Sequence, residues 1–218
     1  MTVSSVSAAE TVEHPLFARF YLRMTASRKA HGEDGYRRRL LAGLSGRVIE
    51  VGAGGGLNFP FYPESVDQVL AVEPEPLLRK AASESAGHAP VAVEVVDGVS
   101  SALPAEDESF DAGVASLVLC SVRDQPRALA EFHRVIRSGG QLRFYEHVVS
   151  RQPAVALLQR IADSAFWPKV AGGCHLSRDT SRAIERAGFT IQSSERFAFT
   201  PGAPIPPIPH ILGIATRQ

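Results

Sequence analysis

The sequence lacks a dominant charge. Its 23 lysine and arginine residues balance 23 aspartate and glutamate residues, so the formal net charge over 218 residues is zero. It also lacks any long block of like charges. Because proteins that bind nucleic acid carry a basic surface that neutralises phosphates, we expect no nucleic-acid partner.

Cysteine is scarce as well. Cys120 and Cys174 are the two cysteines of the chain, and they are too far apart in sequence to resemble the closely spaced ligand pairs of zinc sites. Two cysteines would also make a poor disulfide framework. We therefore expect reduced thiols and no metal.

Long apolar runs are missing too. No segment approaches the roughly 20 apolar residues that span a bilayer. The first residues, MTVSSVSAAETVEH, lack the basic start and apolar centre of a signal peptide. These features predict a cytoplasmic protein with no integral membrane segment.

Short apolar runs and amphipathic stretches alternate along the chain. Apolar strands that alternate with helices are typical of a parallel sheet covered on both faces. We predict an α/β fold with a doubly wound, mostly parallel, seven-stranded sheet and an N-terminal flank of two helices that break at HGEDG (31–35). The strand candidates are RVIEV (47–51), VDQVLAV (66–72), VAVEVV (91–96), FDAGVASLV (110–118), GQLRFYEHVV (140–149), FTIQSSERFAF (189–199) and HILGIATR (210–217).

A glycine-rich loop, VIEVGAGGGLNFPFYP (48–63), follows the first strand. The dinucleotide fingerprint G-x-G-x-x-G fails at its third glycine, where Leu57 or Phe59 stands. A phosphate-binding loop needs a lysine followed by serine or threonine, and Leu57 and Asn58 stand there instead. Neither a nicotinamide dinucleotide nor a nucleoside triphosphate is the expected ligand.

The loop instead matches E-x-G-x-G-x-G, as Glu50, Gly52, Gly54 and Gly56. This pattern resembles the first motif of class I methyltransferases that use S-adenosylmethionine. Glycines let the backbone approach the cofactor closely, Glu50 suits its ammonium group, and Asn58 completes the predicted loop contacts. The alternative is that the glycines make only a tight strand-to-helix turn.

An acidic residue about 20 positions beyond the glycines is the expected partner of the ribose hydroxyls, because one carboxylate can accept from both. LAVEPEP places Glu73 there, followed by Pro74, which we include in the site. Glu75 is two residues further and could be a solvated charge at a helix start.

The third family motif, often G-D-A-E-x-L-P, corresponds to GVSSALP (98–104). Val99 replaces the usual aspartate, so we predict that backbone groups around Val99 and Ser100 contact the adenine, with Asp97 as an alternative in a shifted register. HRVIRSGGQLRF is similar to the helix, turn and fifth strand of the family, where Gly139 and Gly140 would end the helix.

Several short sequence segments point to one group within this family. FYP, LVLCSV, EHV, GCHLSR and PHILGIA, which span nearly the whole chain, resemble the methyltransferase-like seven group of alkyl thiol S-methyltransferases. The resemblance runs from about residue 20 to the C-terminus. From the chain length we expect one domain over residues 1–218, with a helical lid or flank (1–44), a cofactor-binding core (45–150) and C-terminal helices with closing strands (151–218).

The acceptor pocket is expected at the carboxyl ends of the strands. Histidine is the side chain that most often acts as a general base near neutral pH, so His147 is a candidate, although it could equally be a packed imidazole, and Cys120 could be a small buried hydrophobe. Cys174 and His175 lie on a loop that could cover the acceptor, while Arg178 could pair locally or touch a ligand. Aromatic candidates for the pocket lining are Phe17, Phe20, Tyr21, Phe166 and Trp167.

These patterns together predict transfer of a methyl group from S-adenosylmethionine to a small acceptor, with a thiol as the leading candidate. Two alternatives stay open. One is O- or N-methylation of a lipid, quinone or phenolic metabolite, and the other is a cofactor-binding protein without catalysis.

Overall fold

The computed structural model describes residues 15–30, 32–200 and 206–218. Residues 201–205 of the proline-rich stretch 200–209 and the first 14 residues of the N-terminal flank therefore lie outside the described residues. The strands are β1 (Gly46–Val51), β2 (Val66–Val72), β3 (Ala92–Val96), β4 (Phe110–Ser116), β5 (Ile136–His147), β6 (Phe189–Phe199) and β7 (Ile208–Arg217). The helices are α1 (Pro15–Ala30), α2 (Glu33–Leu41), α3 (Pro76–Ala86), α4 (Gln125–Val135), α5 (Pro153–Ala165), α6 (Trp167–Val170) and α7 (Thr180–Arg186).

The strands form one seven-stranded sheet in the order β3-β2-β1-β4-β5-β7-β6. Strands β1 to β5 run parallel, and β7 is antiparallel to both β5 and β6. The predicted doubly wound, mostly parallel sheet is confirmed. Strand order reverses between β1 and β4, and the crevice at such a reversal is where this class of sheet binds ligands.

Both faces of the sheet are covered. On β1, Val48 packs into one core with Leu40 and Leu41 of α2, whereas Ile49 packs into the other with Phe132 of α4. Since successive side chains of a strand point to opposite faces, an apolar run without alternation requires this burial on both sides. The near-continuous apolar strands of the sequence are explained in this way.

Acidic caps position the helices that follow β2 and β4. The side chain of Glu75 accepts a hydrogen bond from the backbone N–H of Leu78, and Asp124 does the same for Arg127. A proline follows each of these caps within the first turn, where a missing N–H costs nothing. Both helices therefore begin at the carboxyl edge of the sheet.

One turn differs from the sequence prediction. Helix α4 ends at Val135, and β5 begins at Ile136, so Gly139 and Gly140 lie within the strand and do not end the helix. Ile136 pairs with Phe110 before the register shifts, and a Cβ on Gly140 would lie 2.8 Å from the backbone oxygen of Asp111. The glycines accommodate this irregular pairing.

Over the described ranges, the helices are all too short or too polar to serve as a bilayer-crossing segment.

Candidate functional site

A cleft of about 1180 Å³ opens at the carboxyl ends of the parallel strands. Its floor comes from the segments that follow β1, β2, β3 and β4, and it is bordered by α1 and by the loop before α7. The lining side chains and loops used below are Phe17, Tyr21, Gly52, Gly54, Glu73, Pro74, Glu75, Val99, Ser100, Leu117, Val118, Ser121, Gly172, Gly173, His175 and Arg178.

The glycine loop packs tightly on both of its sides. Gly52 and Gly54 have φ angles of +71° and +57°, a region that side-chain-bearing residues rarely adopt. A Cβ on Gly52 would overlap Val118, and one on Gly54 would lie 3.1 Å from the hydroxyl oxygen of Tyr21. The sequence therefore places glycine where the backbone itself must form the wall of the cleft.

Glu73 lies at the end of β2 with its carboxylate held by two backbone amides. Oε2 accepts from the N–H of Gly54 at 2.7 Å, and Oε1 accepts from the N–H of Glu75 at 3.0 Å. The side chain is 5% exposed, and burial raises its pKa from the ordinary value. Because a carboxylate oxygen has two lone-pair sites, each oxygen keeps capacity for one further donor. Pro74, next to it, also lines the cleft.

Glu50 and Asn58 lie behind the glycine loop in a buried polar network. Glu50 Oε1 accepts from Asn58 Nδ2 at 2.9 Å, and Oε2 accepts from the hydroxyl of Tyr62 at 2.6 Å. Arg37 of α2 donates to Asn58 Oδ1 at 2.8 Å and lies 3.6 Å from a carboxylate oxygen of Glu33. Glu50 was predicted to contact the ammonium group of the cofactor, but both of its carboxylate oxygens accept hydrogen bonds from other side chains of the protein.

Burial raises the pKa of Glu50 to about 7, although Tyr62, Asn58 and Arg37 oppose that rise. Gly56, the third predicted glycine, has a φ angle of +78° and packs closely against the ring of Phe59. The network and this glycine fix the shape of the loop from the rear.

The segment after β3 forms another part of the cleft. Val99 and Ser100 line it, and Val99 makes an isolated antiparallel bridge with Ala102. Asp97 points to the surface, where its carboxylate pairs with Arg79 at 3.0 Å. Val99 and Ser100 therefore lie at the cleft, whereas the carboxylate of Asp97 forms an ion pair with Arg79 outside it.

The loop after β4 is held in an unusual conformation by a buried carboxylate. Glu146 accepts hydrogen bonds from the backbone N–H groups of Val118, Leu119 and Cys120 at 3.1, 2.9 and 3.0 Å. Leu117, at the start of this loop, has a φ angle of +59°. Strained residues of this kind persist where the surroundings impose them. Glu146 therefore shapes the cleft wall, and burial raises its pKa well above the ordinary value.

Cys120, His147 and Cys174 meet directly behind this wall. His147 Nδ1 lies 3.5 Å from Cys120 Sγ and 3.2 Å from Cys174 Sγ. The hydrogen bond to Cys174 and burial raise the pKa of Cys120 to about 12. His147 is 7% exposed, and the described residues that line the cleft here are Ser121, Gly173 and His175. The cysteines, distant in sequence, are close in the fold.

The predicted aromatic residues divide into two groups. Phe17 and Tyr21 of α1 line the cleft, and Gly172 packs closely against the ring of Phe17. Phe20 and Phe166 are instead more than half exposed, while Trp167 packs against the two cysteines. Two of the five predicted aromatic residues, Phe17 and Tyr21, therefore line the cleft.

The loop before α7 closes the other border. The backbone N–H of His175 donates to the oxygen of Cys120 at 2.8 Å, and Arg178 donates to the oxygen of Leu119 at 2.6 Å. The His175 imidazole is partly exposed and lies 4.0 Å from Asp163. This loop and the loop after β4 therefore form one continuous wall.

Comparison with known proteins agrees with this architecture. Residues 49–144 match the family model described as a methyltransferase domain. The chain is 35% identical over 209 residues to thiol S-methyltransferase TMT1B of Mus musculus, covering 91% of this chain and 85% of that protein. The TMT1B protein of Homo sapiens is 35% identical over 182 residues, which cover 81% and 74% of the two chains.

A solved structure shares the fold. An S-adenosylmethionine-dependent methyltransferase from Thermotoga maritima matches with a TM-score of 0.69 at 22% identity, covering 93% of this chain and 99% of that chain.

Proposed function

Because the chain belongs to the family of the TMT1 thiol S-methyltransferases and is an S-adenosylmethionine-dependent methyltransferase, we propose that it methylates the sulfur of a small apolar thiol. The observation that carries this proposal is the junction, in one cleft, of the Glu73 cradle with an apolar border of Phe17, Tyr21 and Leu117. A polar half suits the cofactor, and an apolar half suits an alkyl or aryl acceptor.

The residues of the polar half fit the cofactor. We propose that Glu73 accepts from two ribose hydroxyls, since both of its oxygens are oriented by backbone amides and retain a free lone pair. Gly52 and Gly54 let the backbone approach the aminoacyl part, where a Cβ would collide with Val118 or Tyr21. The adenine would lie against the other end of the cleft floor, beside Pro74, Val99 and Ser100.

Glu50, Asn58 and Gly56 have a supporting role on this proposal. They lie behind the loop and hold it in the shape that the cofactor needs. The network reaches α2 through Arg37. The N-terminal flank therefore contributes to the site from behind, through α2, and from the front, through α1.

A thiol acceptor makes modest demands on the apolar half. When bound, the cofactor supplies a methyl group on a positively charged sulfur, and transfer to a thiol yields a methyl thioether, S-adenosylhomocysteine and a proton. A thiol with a pKa of about 8.5 is already a few per cent thiolate at neutral pH. Positioning the acceptor and excluding water, which can lower the barrier by about 7 to 11 kcal/mol, are then the main tasks of Phe17, Tyr21 and Leu117.

Two histidines compete for the role of base. His175 borders the cleft directly. His147 reaches the cleft wall only through Cys120, which adjoins Ser121, and a role for His147 as general base stays a prediction.

We further propose that the chain works as a single domain in the cytoplasm without a nucleic-acid partner. Its two free cysteines suit a reducing compartment.

An acceptor panel tests the proposal. The release of S-adenosylhomocysteine is measured with a small alkyl thiol, a phenol and an amine of matched size, each at the same concentration. We expect the highest kcat/KM for the thiol. Turnover with only the phenol or only the amine would contradict the thiol assignment, and calorimetric binding of NAD in place of S-adenosylhomocysteine would contradict the cofactor.

A further inference from the structure

Two thiols and an imidazole from three separate parts of the chain converge at one point. Cys120 lies in the loop after β4, His147 ends β5, and Cys174 lies in the loop before α7. One ligand atom from each lies within 4.8 Å of the other two. Among the residues that the structure describes, this is the group of histidine, cysteine and acidic side chains whose geometry could hold a metal ion.

The separations agree with a tetrahedral metal site. A zinc ion binds sulfur at about 2.3 Å and imidazole nitrogen at about 2.0 Å, so ideal tetrahedral angles put sulfur and nitrogen about 3.6 Å apart. The two sulfur-to-nitrogen distances are 3.5 and 3.2 Å. The ligand atoms are therefore already spaced as a common metal ion would require.

The imidazole of His147 has poor partners without an ion. Its Nδ1 faces the two sulfur atoms, which are weak hydrogen-bonding groups, and its buried Nε2 has no hydrogen-bond partner in the described residues. An ion would bind Nδ1, the nitrogen that faces the two sulfur atoms, and would leave Nε2 unchanged. A metal on Nδ1 would replace two weak contacts with one strong bond.

The surroundings favour a thiophilic ion. Cys120 and Cys174 pack with Leu176 and Ile208, so the pocket around the sulfurs is apolar. Thiolate and imidazole ligands select zinc or copper(I) over magnesium or calcium, which prefer oxygen. Two thiolates also neutralise a divalent charge, which matters in an apolar pocket.

We propose that Cys120, His147 and Cys174 form a binding site for a thiophilic metal ion, with Zn²⁺ as the ion that fits their donor set and spacing. Binding releases the two thiol protons. The ion would join the loop after β4 to the loop before α7, which together form the wall of the acceptor side of the cleft. It would thus order that wall, and it would occupy the His147 nitrogen that a general base needs.

The site stands independently of the acceptor, and its test needs no activity. The reduced, metal-free chain is titrated with Zn²⁺ against a chromophoric chelator, and separately with Co²⁺ while the absorption spectrum is followed. We expect one ion per chain, release of protons, and a thiolate-to-cobalt charge-transfer band. Absence of one-to-one binding, or a cobalt spectrum of all-oxygen coordination, would overturn the proposal without recourse to any variant.

Variants then assign the ligands. Cys120→Ser, Cys174→Ser and His147→Ala should each raise the Kd for Zn²⁺ by about 100-fold or more, since removing even outer partners of a metal ligand costs about 10- to 100-fold. His175→Ala, which removes a neighbouring imidazole, and His133→Ala, on α4, should leave the Kd unchanged. Retained binding in Cys120→Ser/Cys174→Ser, which has no thiol, would refute the site, and binding of S-adenosylhomocysteine shows that each variant is folded.

Discussion

The replacement of Glu73 by alanine gives the sharpest test of how the cofactor is held. Its carboxylate uses one lone pair of each oxygen on the backbone amides of Gly54 and Glu75 and offers the others to the cleft. A hydrogen bond to a charged group contributes about 1.5 to 3 kcal/mol net. With water replacing part of the two lost bonds, we expect a loss of about 1.5 to 3 kcal/mol.

That loss corresponds to a Kd for S-adenosylhomocysteine that rises about 10- to 150-fold. The assay is isothermal calorimetry, and Glu84→Ala, at an exposed position of α3, is the matched control because it removes the same side chain away from the cleft. Glu73→Gln should also weaken binding, since its NH₂ group would face one of the two backbone donors that the carboxylate now accepts from.

A modified ligand separates a ribose contact from a general disturbance of the loop. The intact chain should bind an S-adenosylhomocysteine analogue without ribose hydroxyls more weakly than the parent, and Glu73→Ala should no longer distinguish the two. If Glu73→Ala weakened both ligands by the same factor, the direct contact with the ribose would be refuted. Unchanged affinity for both would remove Glu73 from the site altogether.

Three further predictions concern the groups behind the cleft. Glu146→Gln should lower the free energy of unfolding by about 1 to 3 kcal/mol in a urea titration, because its NH₂ would oppose a backbone donor that now has an acceptor; unaltered stability would show that the loop after β4 does not depend on this carboxylate. The pKa of Glu50 is raised from 4.5 to about 7, so the folded chain holds this proton more tightly than the unfolded chain. The free energy of unfolding should therefore fall as pH rises from 4.5 to 7, by up to about 1.4 kcal/mol per pH unit, and this contribution should level off above pH 7. Glu50→Gln should show a shallower slope, and an identical slope would contradict the assignment. His147→Ala should reduce the methylation rate by a similar factor at every pH, whereas a loss at neutral pH that disappears at acidic pH, where a histidine base would already be protonated, would make His147 the general base.

The sheet could be predicted from the sequence because its signals are local. The strand candidates VDQVLAV and FTIQSSERFAF coincide with β2 and β6 residue for residue. Glu75 followed by Pro76 marks the start of α3, and HGEDG marks the break between α1 and α2. The glycines and Glu73 were found in the same way, since each occupies a fixed place after a strand.

The remaining features depend on contacts between distant parts of the chain. Nothing in GYRRRLL distinguishes Arg37, which is buried against Asn58, from its exposed neighbour Arg38. In the sequence, Glu146 is only part of the string EHV, although its carboxylate organises the loop after β4. The cysteine spacing did not predict that Cys120 and Cys174 meet, because spacing along the chain carries no information about loops that the fold brings together.

The position of the transferred carbon tests the central claim most directly. The chain is supplied with S-adenosylmethionine carrying a ¹³C methyl group and with 4-mercaptophenol, an acceptor that offers a thiol and a hydroxyl on one apolar ring. The ¹³C chemical shift of the product distinguishes a methyl group on sulfur from one on oxygen. The account predicts the S-methyl product alone, whereas an O-methyl product, or no labelled product, would contradict it.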